Sequence, residues 1–287
     1  MADLDIFEDA LFTVFAHHQP ARGDPGSRGV WTHTALPTWC VHEGTPQIAY
    51  RIADASSANT KLFAHHQWDA GVYLADVLAE TPAWADVRGR TVVELGAGTG
   101  LPSLAAAATG ARHTTVTDYP DPEILANLRE NAAMLQARAP APLALDVAGL
   151  AWGEALDSYV GQAHKHRFVQ THGQADMVVA ADVLWVSSMH DALLATVTAL
   201  LARTRDARFV LVAGFHTGRL AIARFLDAAL AAGLEYAADA PYGGVYERRF
   251  DGTTRAWQCG DDEMGDIGER AQWVLLAVFQ WGAARPR

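Results

Sequence analysis

The chain has 287 residues, half of them apolar and 19% charged, a balance that suits a globular protein able to bury a large core without staples. Its 33 acidic residues against 22 Lys and Arg leave a formal charge of −11, and its densest basic spots (Arg203-Thr204-Arg205 and Arg248-Arg249) are short and separated, which excludes nucleic acid as an expected partner because phosphate-backbone binding needs clustered cations. Cys40 and Cys259 stand far apart without a CxxC spacing, so neither a disulfide framework nor a structural zinc site is expected.

Residues 1–60 are rich in Pro, Gly and His, as in Gln19-Pro20-Ala21-Arg22-Gly23-Asp24-Pro25-Gly26, with one strand expected at Ile48–Ile52. They read as an N-terminal extension, a candidate substrate lid, ahead of a domain over 61–287. The first 15 residues are amphipathic but acidic (Asp3, Asp5, Glu8, Asp9), unlike a basic secretory or mitochondrial leader. No apolar stretch approaches the roughly 20 residues of a membrane span. A cytoplasmic protein without a membrane partner is the expectation.

From about 61 to 232, strand-like runs alternate with alanine-rich helical stretches. Thr91–Leu95 is a short apolar strand ending in a glycine-rich turn; Leu101–Thr109 is helical, with Pro102 tolerated in its first turn and Gly110 as its stop. Thr114–Thr117 is β-branched, hence a strand, and Pro122–Gln136 places Ile124, Leu125, Leu128 and Leu135 on one helical side. Met177–Ala181 and Phe209–Ala213 are two further buried strands around the helix Met189–Leu201, and Arg219–Ala232 is helical up to Gly233. Such alternation implies parallel crossovers and a doubly wound α/β sheet. Beyond about 235 the texture changes: Tyr242–Tyr246 feeds a strand and Trp273–Phe279 is another, an expected antiparallel C-terminal pair.

Glu94-Leu95-Gly96-Ala97-Gly98-Thr99-Gly100 follows a strand and precedes a helix. Glycines let the backbone turn sharply and approach a ligand without a Cβ in the way, and the N–H groups at the helix start can face it. Asp118 comes 22 residues after Gly96, at the end of the next strand, where a doubly wound fold sets a carboxylate against ribose hydroxyls. Dinucleotide sites use Gly-x-Gly-x-x-Gly; here the third glycine falls one position early, and Glu94 precedes the loop. That carboxylate suits the ammonium end of a cationic, amino-acid-bearing cofactor and would repel a pyrophosphate. S-adenosylmethionine is therefore favoured over NAD.

The run Val92–Ser103, followed by Val116-Thr117-Asp118-Tyr119-Pro120-Asp121-Pro122, resembles the seven-β-strand class I S-adenosylmethionine-dependent methyltransferases. Within them it is similar to the lysine methyltransferase branch that includes fungal nicotinamide N-methyltransferase-like proteins and enzymes methylating the N-terminus and a nearby lysine of elongation factor 1-alpha. The likeness continues in Phe63–Gly71, Leu150-Ala151-Trp152-Gly153, Ala181-Asp182-Val183-Leu184-Trp185 and Val212–Arg219, spanning roughly 60 to 280. The resemblance implies a mostly parallel seven-stranded Rossmann-like sheet and a cofactor site at Trp68, Glu94, Gly96, Ala97, Gly98, Gly100, Asp118, Tyr119, Trp152 and Asp182. Trp68 would lie near the methionine end of the cofactor and Trp152 near its adenine, with Asp146 a further candidate for the adenine amino group.

For catalysis, Asp182 would orient or neutralise the acceptor, while Trp185 stands where relatives carry Tyr or Phe and offers a larger aromatic wall. His216 follows a strand in Gly214-Phe215-His216-Thr217-Gly218-Arg219, and an imidazole with an ordinary pKa of about 6.5 can take a proton from an acceptor nitrogen. His65 and His66 face the same choice. His164, Lys165, His166 and His172 cluster without a thiolate or carboxylate at ligand spacing, so no metal is expected. The expected reaction is N-methylation of a small nitrogen compound or of a protein lysine or N-terminus, with S-adenosylhomocysteine as product. A non-catalytic binding module and a dinucleotide oxidoreductase are the alternatives.

Overall fold

A computed structural model describes residues 29–34, 47–53, 66–153, 174–259 and 270–282. The chain opens with β1 (Trp31–Thr34) and β2 (Gln47–Tyr50), an antiparallel pair. There follow α1 (Asp69–Glu80), β3 (Thr91–Leu95), α2 (Leu101–Thr109), β4 (His113–Asp118), α3 (Pro122–Arg138) and β5 (Leu145–Gly149). The second half holds β6 (Met177–Ala181), α4 (His190–Leu200), β7 (Arg208–Gly214), α5 (Arg219–Ala231), β8 (Leu234–Tyr236), β9 (Val245–Arg249), β10 (Thr254–Ala256) and β11 (Trp273–Trp281).

Among the described residues, nine strands form the main sheet, in the order β10-β9-β11-β7-β6-β3-β4-β5, with β8 pairing β11 off this path. Strands β3 to β7 run parallel. The C-terminal β11 is antiparallel to β7 on one side and to β9 on the other. Seven longer strands thus make up the doubly wound sheet expected from the sequence, and the three-residue strands β8 and β10 extend it to nine. The expected C-terminal pairing of β9 and β11 occurs, with β10 as a separate hairpin partner of β9.

The pleat divides the strand side chains between two cores. One face of β6, β7 and β11 (Val178, Ala180, Phe209, Leu211, Leu275, Ala277) packs with Leu193, Val197, Phe225 and Ala229 of α4 and α5. The other (Met177, Val179, Val210, Val212, Val274, Leu276) packs with Tyr73, Leu74, Val77 and Leu78 of α1. Helix α1 was not anticipated as an element. Its twelve residues carry nine buried positions, too continuous an apolar run to show a one-sided period.

Residues 47–53, assigned from sequence to the extension, belong physically to the core. Ile48 is fully buried with Val72, Leu101, Leu104 and Leu135. Asn131 secures the segment: its Nδ2 donates to the carbonyls of Arg51 (2.9 Å) and Thr99 (2.8 Å), and its Oδ1 accepts from the Arg51 N–H (2.7 Å). One buried amide of α3 thus ties β2 to the glycine loop. Replacing it by Ala leaves three buried backbone groups without this partner, so Asn131→Ala is expected to lower stability by about 2–4 kcal/mol in urea unfolding. A loss below about 0.5 kcal/mol would contradict that role.

Candidate active site

The carboxyl ends of β3, β4, β6 and β7 meet at one sheet edge, where open α/β sheets hold ligands. After β3 the backbone turns through Gly96 (φ +65°), Gly98 (φ +57°) and Gly100 (φ +79°) into α2. Gly96 is doubly constrained: a Cβ there would stand 2.8 Å from Val183 Cγ1 and 3.1 Å from the Trp152 ring, on top of its left-handed φ. The Ala97 N–H donates to Thr117 O (3.0 Å) and the Gly100 N–H to Ala97 O (2.7 Å), closing the turn.

Asp118 terminates β4. Its carboxylate accepts from the Gly98 N–H (2.7 Å) and the Tyr119 N–H (2.6 Å). Burial raises its pKa to about 6 against the lowering effect of those two bonds. Tyr119 beside it is 53% exposed, an open aromatic face at the rim. Trp152 is half-buried and lies against Gly96, as the ring contact above requires.

Glu94 behaves differently from the expectation. It is 1% exposed, and its Oε2 accepts from the Ser103 N–H in the first turn of α2 (3.0 Å). Helix α2 has no side-chain cap at Gly100, so a free donor of its first turn takes the carboxyl beneath the loop. Burial pushes the Glu94 pKa up to about 8, opposed by hydrogen bonding from Ser103. Burial thus shifts this carboxyl toward its uncharged form more strongly than that of Asp118.

Asp182 follows β6 in the left-handed region (φ +57°), which Asp tolerates better than most residues. Its Oδ1 accepts from the Gly214 N–H (2.9 Å), and its Oδ2 lies 2.8 Å from His216 Nε2. Gly214 permits this approach: a Cβ there would fall 2.5 Å from His216 Nε2 and 3.1 Å from Asp182 Oδ1. Burial alone would depress the His216 pKa, but the Asp182 charge and hydrogen bond, with Asp69 behind them, outweigh it and the net shift is upward. Trp68 meets the His216 ring edge-on at 5.1 Å and His66 at 4.8 Å. A cavity of about 20 Å³ adjoins the pair, lined by Asp69, Phe250, Arg270 and Trp273 among others.

The His216 loop is held from the C-terminal strands. Glu247 on β9 is 1% exposed and accepts from Arg219 at 2.6 and 2.7 Å and from Arg255 at 2.9 and 2.6 Å. The Arg219 guanidinium lies over Phe215 (4.6 Å) and Trp257 (5.3 Å), which stack on each other. Gln67, which is buried, receives a hydrogen bond from the Thr99 hydroxyl and donates to Trp68 O (2.9 Å), joining the Trp68 segment to the glycine loop.

The expected residues therefore fall into two groups at one edge: Gly96, Ala97, Gly98, Gly100, Asp118, Tyr119 and Trp152 around the loop, and Asp182, His216 and Trp68 beside it. One expectation needs correction. Asp146 lies near the start of β5 and bonds His113 Nε2 (3.0 Å) at the start of β4, the edge opposite the loop, because parallel strands carry their amino ends there. Trp185 is half-buried and does not line the cavity beside Asp182; Phe250 and Trp273 do. His65, His164, Lys165, His166 and His172 lie outside the described residues. Among the described residues no three His, Cys, Asp or Glu side chains are grouped to hold a metal ion, and no helix is long and apolar enough to cross a membrane. Sequence reasoning did not single out Asp69, Gln67, Glu247 or Phe250. The first two stand inside the Phe63–Gly71 motif, whereas Glu247 and Phe250 reach the site only through strand pairing.

A sequence profile described as lysine methyltransferase matches residues 52–228, more than half of the chain, and the chain belongs to that family. It is 34% identical over 176 residues to the protein N-terminal and lysine N-methyltransferase efm7 of Emericella nidulans, covering 60% of this chain and 64% of that protein. It is 31% identical over 173 residues to the efm7 protein of Aspergillus fumigatus, covering 59% and 62%. The chain thus spans less than two thirds of the length of these relatives. Among solved structures, the ribosomal protein L11 methylase of Lactobacillus delbrueckii superposes with a TM-score of 0.43 at 16% identity, over 80% of this chain and 82% of that one.

The buried carboxyl of Glu94 has a pH signature. Its folded pKa of about 8 exceeds the ordinary 4.5, so its contribution to stability is complete below about pH 4.5 and is lost as pH rises through 8. Glu94→Gln keeps the acceptor without that ionisation. Its melting temperature should gain on the parent protein progressively between about pH 4.5 and 8 and level off above that, whereas a pH-independent difference would place the ionisation elsewhere.

Proposed function

We propose that the chain is an S-adenosylmethionine-dependent N-methyltransferase acting on a protein amine, a lysine side chain or an N-terminus. The observation that carries this reading is the juxtaposition of two carboxylates at one sheet edge. Asp118 closes a glycine loop suited to an adenosyl cofactor, and Asp182, paired with His216, borders a cavity with room for about one water-sized group. Such a cavity suits a single amine head better than a flat heterocycle. The names of the relatives point the same way.

The residues around the loop fit the cofactor. Asp118 lies at the strand end where ribose hydroxyls can donate to it, a Cβ at Gly98 would stand in open space with nothing of the chain within 4 Å, and the exposed Tyr119 ring offers a face for the base. When bound, the cofactor supplies a methyl group on a positively charged sulfur. The rest falls to the chain. An ammonium cannot attack until it has lost a proton, so Asp182 attracts and orients the cation while the Asp182–His216 pair accepts that proton. Phe250 borders the cavity and offers a π face to the cationic amine, and Trp68 packs against the His216 ring. Glu247, through Arg219, keeps the His216 loop in register with Asp182.

The deciding experiment offers labelled methyl donor to a host lysate and separates protein from small molecules. Label in the protein fraction supports the reading; label confined to small molecules would replace it with the other expected acceptor class, a ring or amine nitrogen of a metabolite. Asp118→Asn should weaken cofactor binding at least tenfold in calorimetry, and binding of NAD in its place would point to an oxidoreductase.

Because the His216 pKa is raised, its proton-accepting form gains population only as pH climbs above the usual imidazole range. Turnover should rise with pH across that limb. His216→Asn is expected to lower kcat by about 10²–10⁴-fold and to flatten the limb, with cofactor affinity nearly unchanged. Retention of the full pH profile in that variant would remove His216 from proton transfer.

A further inference from the structure

A concavity of about 820 Å³ lies along α1, lined by residues of β1, β2 and β9. Its aromatic walls include Trp31, Tyr73 and Trp84, and its floor carries Asp76 and Glu80, which are i and i+4 neighbours on one helical face. Asp76 is 3.0 Å from His33 Nε2. The Arg248 guanidinium lies 4.3 Å over the Tyr73 ring, and the Tyr73 and Tyr246 hydroxyls bond each other at 2.8 Å. Glu80 is the last residue of α1, and the Tyr50 ring of β2 also lines the groove.

This groove begins within about one helical turn of the catalytic edge along α1. Asp69 and Ala70, at the start of α1, line the cavity beside Asp182, and Tyr73 lines the groove less than a turn later. Across the sheet, Arg248 is in register with Val274, which itself borders the small cavity. From Asp69 the helix carries Asp76 roughly 10 Å and Glu80 roughly 16 Å away from the site. An extended peptide covers roughly 3.3 Å per residue, so its third and fifth residues from the acceptor amine would come level with these carboxylates.

We infer that the α1 groove is a docking site for a basic polypeptide segment flanking the methylated amine, with Lys or Arg about three to five residues from it held by Asp76 and Glu80. Aromatic walls beside carboxylates suit cationic side chains through cation–π and ionic contact together, and Arg248 supplies a donor for a peptide carbonyl. Charge selects the occupant: a second copy of this chain would bring a net −11 to an acidic floor, whereas a basic segment is complementary. The inference deepens the protein-amine reading and rests on it.

The test uses the full chain and a fluorescent, N-acetylated, arginine-rich decapeptide with no methylatable amine, so that binding is read without turnover. Anisotropy should show binding that Asp76→Lys with Glu80→Lys weakens at least tenfold, while the matched reversal Asp191→Lys with Asp227→Lys, both exposed on the opposite face of the sheet, changes it less than twofold. No binding to the parent protein, or equal losses in the two double variants, would overturn the proposal. A parent dimer in sedimentation that only the groove variant dissociates would overturn it in favour of a second copy. Peptide binding as expected, with methyl transfer confined to small molecules, would count against the acceptor reading and leave the groove a peptide site.

Discussion

The carboxylate of Asp118, holding the Gly98 N–H at 2.7 Å and the Tyr119 N–H at 2.6 Å, joins the loop after β3 to the loop after β4. Parallel pairing brings these strand ends side by side, and the carboxylate converts adjacency into a fixed cradle. Neighbouring bonds depend on the same register. Ala97 N–H reaches Thr117 O, and the Thr117 hydroxyl donates to Glu94 O. A shift of one residue between β3 and β4 would break all of them. The glycine loop's conformation is therefore a property of the sheet as much as of its own residues.

A second pair of strand ends repeats the arrangement with different chemistry. Asp182 after β6 and His216 after β7 meet because β6 and β7 are parallel neighbours and Gly214 carries no Cβ. The antiparallel strands then enclose the pair. β11 brings Trp273 beside it, and β9 supplies Glu247, whose two arginine partners fix the loop that carries His216. Removing one partner from such a buried ionic cluster strands the remaining charge. The C-terminal strands thus do more than cover the sheet edge: they set the position of the imidazole.

The strands and helices most legible in sequence were those with short, strongly patterned runs and clear stops. Thr91–Leu95, Leu101–Thr109 before Gly110, and Met177–Ala181 fall where the pattern placed them. Helix α1 is hidden because it is buried on most sides, and β5 because Asp146 interrupts the apolar run of Leu145–Gly149 and the strand ends in glycine. Asp146 shows the limit of proximity along the chain. It precedes Trp152 by six residues, yet it occupies the opposite end of β5 because an extended strand separates them. Glu94 shows another limit: its carboxyl faces the helix it caps, a direction no local pattern specifies.

What the sequence determined by itself is the local backbone chemistry. Glycines between a strand and a helix, and a carboxylate at the next strand's end, demand a turn with exposed donors and a charge beside it, whatever the surroundings. The tertiary structure alone decided how far burial shifts each carboxyl and which groups converge. Burial raises the Glu94 pKa further than that of Asp118, to about 8 against about 6, and strand order brings Glu247, 31 positions along the chain from His216, to bear on the loop that holds it. Desolvation and long-range pairing arise only when distant segments pack, so they cannot be read from neighbours in sequence.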